Sequence, residues 1–140
     1  MSQQEPETIR AVYAAFARGA APAVLAMFDS QIVWNEAENI PYADRNPYVG
    51  PQQVAEGVFG RILADFDRFT VNVEKIVHDG DTVVALGRYR GVHRSTGHGL
   101  DAQFVHVWTL RNGKIVGFQQ YADTAQFLRV TGEPIIPTPS

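Results

Sequence analysis

A chain of 140 residues, 45% hydrophobic and 19% charged, has the make-up of a folded globular protein, and the expectation is one domain over 1–140 with its core at about 6–130. The absence of cysteine excludes a disulfide scaffold, a thiolate zinc site, an iron–sulfur cluster and a cysteine nucleophile. A net charge of −3 gives no basic field for a phosphate backbone, and no run of about 18 apolar residues occurs, so neither nucleic acid nor membrane is an expected partner and the cytoplasm is the expected compartment.

Pro6 suits a first helical turn, and Ile9, Val12, Tyr13 and Phe16 then recur at i, i+3, i+4 and i+7, which predicts an amphipathic helix over 6–18 ending at Gly19. Pro22 opens a second, shorter helix carrying Val24, Leu25 and Phe28, and Ile32-Val33-Trp34 reads as a short strand. Residues 37 to 51 hold Pro41, Pro47, Gly50 and Pro51 among polar residues, the pattern of a long loop that covers a site. From Gln52, the positions Val54, Val58, Phe59, Ile62, Leu63 and Phe66 trace a third helix. After Phe69 the pattern alternates, and turn signals divide the chain into strands 70–78, 82–93, 100–111 and 114–122. A short helix over 124–130 and an irregular Pro-rich tail from Thr131 close the chain.

The expected fold is α+β: three N-terminal helices packed on one face of a curved antiparallel sheet, with a pocket on the concave side. Strand 100–111 is apolar on both parities, with Phe104, Trp108 and Leu110 on one and Val105 and Val107 on the other, which predicts a homodimer packed through the convex side.

Asn112-Gly113 is the strongest turn signal, because a two-residue type I′ turn needs positive φ at both positions. If it closes the last hairpin, Arg111 faces Lys114, and counting back from there His106 faces Gln119, Phe104 faces Tyr121 and Ala102 faces Asp123. This register puts His106, Gln119, Tyr121 and Asp123 on the face of Phe104 and Trp108, with Asp123 roughly 13 Å along the strands from His106 at about 3.4 Å per residue. His106 and Asp123 would then flank a ligand rather than form a dyad. A buried neutral His both donates and accepts a hydrogen bond, and a carboxyl among apolar groups has its pKa raised toward the range of a useful base. Each has an ordinary structural alternative: a hydrogen-bonded core residue for His106, the N-cap of the last helix for Asp123. Glu36 follows Trp34 at strand parity and is a further candidate base. Parity leaves open whether Arg88 or Tyr89 faces the cavity.

His78, His93, His98 and His106 lack metal-ligand spacing, and no phosphate-binding glycine loop or nucleophile-elbow serine is present, so neither metal nor cofactor is expected.

Several segments, taken in order, carry a family resemblance: Val12-Tyr13-Ala14-Ala15-Phe16, then Met27-Phe28-Asp29 before Trp34-Asn35-Glu36, then Tyr48-Val49-Gly50-Pro51, and last Phe104-Val105-His106-Val107-Trp108 with Asn112-Gly113 and Gln120-Tyr121-Ala122-Asp123. Over about residues 6 to 130 the chain resembles the ketosteroid isomerase-like (NTF2-like) superfamily, in particular its SnoaL-like polyketide cyclase branch. The resemblance implies a cone-shaped α+β barrel around a hydrophobic cavity, commonly dimeric. It implies an acid/base Asp at Asp123 assisted by His106. In ketosteroid isomerases the base position corresponds to Glu36 and an oxyanion-hole acid to His106, whereas their helix-1 tyrosine aligns with Val12, one residue from Tyr13. In limonene epoxide hydrolase-like members an Arg corresponds to Arg88, but Arg90 replaces their second Asp and reverses its charge.

Two functions of different classes follow as expectations. The first is cofactor-independent acid–base chemistry on a small hydrophobic carbonyl compound, whether isomerisation, cyclisation or hydration. Asp123, His106 and Glu36 would be its catalytic groups, and Trp34, Tyr13, Val58, Phe104, Gln119, Tyr121 and Arg88 would contact the ligand. The second is a non-catalytic dimeric module that binds a hydrophobic metabolite, since the fold alone does not define an activity.

Overall fold

A computed structural model describes residues 4–132; the tail expected beyond Gly132 lies outside them. Helix α1 (Gln4–Ala17) turns Ile9, Val12 and Ala15 inward, all fully buried, and α2 (Ala21–Ala26) carries Pro22 in its first turn. Strand β1 (Phe28–Asn35) buries Phe28, Ile32 and Trp34 and exposes Val33, the alternation of a half-buried strand. The region 37–51 is more ordered than a plain loop: it contains a 3-10 turn over Pro41–Arg45 and a short strand β2 (Tyr48–Val49) paired with β1.

The third helix expected from Gln52 is divided. It runs as α3 (Pro51–Val54), a π-helical segment (Ala55–Phe59) and α4 (Gly60–Asp65). A π turn carries one more residue than an α turn, so the apolar stripe drawn at a constant 3.6-residue period is displaced beyond it. Leu63, expected in that stripe, is 61% exposed, and Phe66 begins a strand instead.

Strands β3 (Phe66–Asp79), β4 (Thr82–His93), β5 (Gly99–Arg111) and β6 (Lys114–Ala122) form the expected meander, and α5 (Thr124–Thr131) follows. The sheet order is β2-β1-β6-β5-β4-β3, with β1 parallel to β6 and every other pair antiparallel. It is therefore the curved sheet expected, curled and open, but of mixed rather than purely antiparallel pairing. Two register shifts between β3 and β4 increase its local twist. At one of them Gly87 is closely approached by the Asn72 carbonyl and the Phe104 ring, so a side chain there would displace the β3 backbone.

Two apolar clusters fill the concave side. One packs Ile9, Val12 and Val24 from the helices on Trp34, Trp108 and Phe118 of the sheet, and the other gathers Tyr42, Phe66, Tyr89, Phe104 and Phe127. Among the described residues no helix is long and apolar enough to cross a membrane.

The last hairpin corrects the expected register. Arg111 faces Lys114 and Leu110 faces Ile115, as the Asn-Gly turn dictates, but Thr109 faces Gly117, which leaves Val116 as an extra residue on β6. Beyond this bulge His106 faces Gln120, Trp108 faces Phe118 and Phe104 faces Ala122. A shift of one residue exchanges the two faces of a strand, so Gln120 and Phe118 point to the concave side where Gln119 and Tyr121 were expected.

Candidate active site

The concave face and the helices enclose a cavity of about 320 Å³. Aromatic rings make up much of its wall, among them Trp34, Tyr42, Phe59, Phe69, Trp108 and Phe118. Ala17, Gly19, Leu63 and Thr70 belong to the same lining and are themselves exposed, so the cavity opens between the α1–α2 turn, α4 and β3. The polar side chains on its buried wall include Glu36, His106, Tyr89 and Gln120, while the Tyr42 hydroxyl is committed to Asp65 Oδ2.

Glu36 lies at the end of β1, 1% exposed, and Asn46 holds its backbone on both sides: the Glu36 amide donates to Asn46 Oδ1 at 3.0 Å, and Asn46 Nδ2 donates to the Glu36 carbonyl at 2.8 Å. Trp34 Nε1 donates to Oε2 at 2.8 Å, while Oε1 has no hydrogen-bond partner. A buried acceptor without a donor is costly in an ordinary core, and such groups concentrate where a ligand completes them. Burial pushes the Glu36 carboxyl up to about 7, against the weaker opposing effects of the Trp34 hydrogen bond and the Arg61 charge. It is thus poised between acid and base near neutral pH.

His106, on β5, sits between two phenols. Tyr13 Oη lies 2.6 Å from Nδ1, and the Tyr89 hydroxyl is hydrogen-bonded to Nε2. Trp108 Nε1 donates to Tyr13 Oη at 2.9 Å, Gln120 Nε2 donates to Tyr89 Oη at 2.7 Å, and Gln120 Oε1 accepts the Ala37 amide at 2.9 Å. Phe104 stacks on the imidazole at 4.0 Å between ring centroids. Burial lowers the His106 pKa to about 3, so the ring is neutral at pH 7.

The residues singled out from sequence divide clearly. Glu36, His106 and Trp34 line the cavity. Tyr13, Phe104 and Val58 lie behind the wall: Tyr13 and Phe104 support His106, and Val58 packs in the helix-side cluster. Gln119 and Tyr121 fall on the convex side because of the Val116 bulge, and Tyr121 is 57% exposed. Arg88 is also on the convex side, its Nε 2.7 Å from Asp101 Oδ1, so the open choice between neighbours resolves to Tyr89 as the residue facing the cavity.

Asp123 is placed outside the cavity lining, as the N-cap of α5. Its Oδ1 accepts the Gln126 amide at 3.2 Å and its Oδ2 accepts Gln126 Nε2 at 3.3 Å. An N-cap satisfies a backbone N–H that no intrahelical carbonyl can reach. Asp123→Ala is therefore expected to cost about 1 kcal/mol in urea denaturation, typical of a lost cap, and to leave ligand binding in the cavity unchanged. A loss of ligand binding with stability intact would return Asp123 to the candidate site.

Gln120, Tyr89 and Tyr42 were not selected from the sequence as site residues. The alternation of β4 contained the signal for Tyr89, since Val83, Ala85 and Tyr89 share the buried parity. Gln120 carried none, because its orientation depends on the bulge. Among the described residues no group of three or more His, Asp or Glu is arranged to hold a metal ion.

This fold agrees with what the chain is similar to. Residues 9–118 match the SnoaL-like domain model, and the chain belongs to that family, with an NTF2-like fold. An NTF2-like protein from Burkholderia thailandensis is 30% identical over 96% of this chain and 100% of its own, with a TM-score of 0.87. An NTF2-like protein of unknown function from Burkholderia pseudomallei is 27% identical over 94% and 98% of the two chains, with a TM-score of 0.84. TerC, co-crystallised with polyporic acid, shares the fold at 22% identity and a TM-score of 0.82, over 94% of this chain and 100% of its own. Among curated proteins none matches this chain.

Proposed function

We propose that the chain is a cofactor-independent acid–base enzyme that moves a proton on a small, neutral, hydrophobic carbonyl compound, with Glu36 as the base. One observation carries this reading: a fully buried carboxyl on the wall of an aromatic cavity, with one oxygen anchored by Trp34 and the other left without a partner. The anchored oxygen fixes the orientation, and the free one is available to a substrate C–H. A pKa near the working pH gives the best compromise between the ionised fraction and basicity. No lysine or arginine lines the cavity, so an anionic substrate would be desolvated there without a counter-charge.

The test is deuterium exchange at the carbon next to the carbonyl of cyclohexanone and acetophenone, followed by NMR in heavy water. Catalysed exchange that rises with pH through about 7 supports the proposal. Saturable ligand binding without exchange would make the protein a binding module.

We also propose that the protein works as a homodimer joined through the convex face, where Leu86, Val105, Val107 and the half-exposed Tyr121 lie together on β4, β5 and β6. Sedimentation equilibrium is expected to give about twice the chain mass of 15.5 kDa. A single-chain mass at micromolar concentration would leave this face without a partner copy.

A further inference from the structure

The hydrogens around His106 can be counted. An indole N–H is only a donor, so Tyr13 Oη accepts from Trp108. The Gln120 amide is oriented by its oxygen, which accepts the Ala37 N–H, so its nitrogen donates to Tyr89 Oη. Each phenol oxygen thus already accepts one hydrogen from outside. Between the phenols and the imidazole there are two contacts, but three hydrogens are available: one on each hydroxyl and one on a neutral ring. One phenol hydrogen is surplus.

The tautomer decides which. With the ring hydrogen on Nδ1, Tyr13 Oη accepts twice and must send its own hydrogen elsewhere. Tyr13 does not line the cavity, and among the described residues its hydroxyl bonds only with His106 and Trp108, so that hydrogen would have no acceptor in the protein and none in the cavity. With the hydrogen on Nε2, Tyr13 donates to Nδ1, and the ring donates to Tyr89. Tyr89 Oη then accepts from both His106 and Gln120, and its own hydrogen is directed away from them, on a residue that lines the cavity. Only this arrangement puts the surplus hydrogen on a residue of the cavity wall, where a ligand or solvent can accept it.

We infer that Tyr89 is the hydrogen-bond donor that meets the substrate carbonyl oxygen, and that His106 and Tyr13 are positioning residues that hold the Tyr89 hydrogen toward the cavity. The inference deepens the acid–base reading of this site and rests on it. The cavity then offers one surplus donor, on Tyr89, and one vacant acceptor, Glu36 Oε1, with Gln120 tying Tyr89 to the backbone next to Glu36. The step balances without a co-reactant. Glu36 takes the proton from the carbon next to the carbonyl, and the C–H electron pair becomes the carbon–carbon double bond of an enolate. The negative charge develops on the oxygen that Tyr89 hydrogen-bonds, and protonated Glu36 returns the proton to carbon. Substrates with a single carbonyl acceptor and an adjacent C–H fit this pair of groups.

Two measurements on the full chain test it. Nitrogen-15 NMR of the ligand-free protein is expected to find His106 as the neutral Nε2–H tautomer; an Nδ1–H tautomer overturns the inference, whatever happens to any variant. Infrared spectra of carbonyl-13C acetophenone are expected to have a carbonyl band at lower frequency with the parent protein and with Glu36→Gln than with Tyr89→Phe. Tyr89→Phe should also slow exchange by about 10²–10³-fold, as for loss of one oxyanion donor. A shift that survives in Tyr89→Phe, or a parent band unchanged from free probe, overturns the role of Tyr89. A shifted band in a parent that catalyses no exchange leaves the Tyr89 donor standing and removes the base instead.

Discussion

Glu36→Gln is expected to suppress proton exchange by about 10²–10⁴-fold, the usual contribution of a positioned base, while making the folded protein more stable at about pH 8. The two effects share one cause. Burial raises the Glu36 pKa from 4.5 to about 7, so above pH 7 the native state holds a charge that water would solvate better, at a cost of about 3 kcal/mol. The sign follows from proton binding: between pH 4.5 and 7 the native state keeps a proton that the unfolded chain has released, so stability falls as pH rises through this window. Glutamine carries no such charge, and its amide oxygen can still accept from Trp34 Nε1. Urea denaturation should therefore separate the parent from Glu36→Gln at about pH 8 and bring them together near pH 4.5. Retention of full exchange in the variant would sink the assignment of the base, and equal stability at pH 8 would sink the raised pKa.

The second large effect is acid unfolding driven by His106. Burial depresses its pKa from 6.5 to about 3, so on acidification the unfolded chain takes up a proton that the native ring refuses. Stability carried by the neutral ring is complete above about pH 6.5 and is lost progressively toward pH 3, to the extent of about 5 kcal/mol. Between pH 6.5 and 4.5 this loss is opposed by the gain from Glu36, whose protonation favours the native state over the same interval. The parent is expected to have a nearly flat stability profile there and a steep fall below it. Asp101, whose carboxyl is held below its ordinary pKa by the Arg88 hydrogen bond, adds to the fall in the same direction. In Glu36→Gln the compensation is missing, and stability should decline throughout from pH 6.5 downward. A series of denaturation curves at fixed ionic strength measures this. Parallel profiles for the two proteins would mean that the two buried groups do not titrate as opposed terms.

How much of the site was legible in sequence depended on how far each residue lay from the feature that orients it. Glu36 is two residues beyond Trp34 on a strand with clear alternation, so both point to the same side, and the structure puts both on the cavity wall. His106 was placed by the aromatic parity of β5, which runs without interruption from Phe104 to Leu110. The β6 residues depended on counting through a turn. The count held for two pairs and failed at Val116, so Gln119 and Tyr121 turned outward and Gln120 turned in. Asp123 shows a different limit. Its two readings, cap and catalytic carboxylate, were both compatible with Asp123-Thr124-Ala125-Gln126, and the backbone path into α5 is what places its carboxylate on Gln126.

By itself the amino-acid sequence determined the order of the main helices and strands, the turn at Asn112-Gly113, the buried parity of β1 and β5, and the family. The family rests on the resemblance of several segments in order; the rest follow from local periodicity and turn chemistry, which act over a few residues. The tertiary structure decided the open, mixed sheet, the π segment before α4, the face presented by β6 and the network Trp108–Tyr13–His106–Tyr89–Gln120. The network joins α1, β4, β5 and β6, so no local pattern encodes it. The bulge is one extra residue whose position is set by how two strands and the parallel neighbour β1 pack together, and a single residue is enough to exchange the faces of a strand.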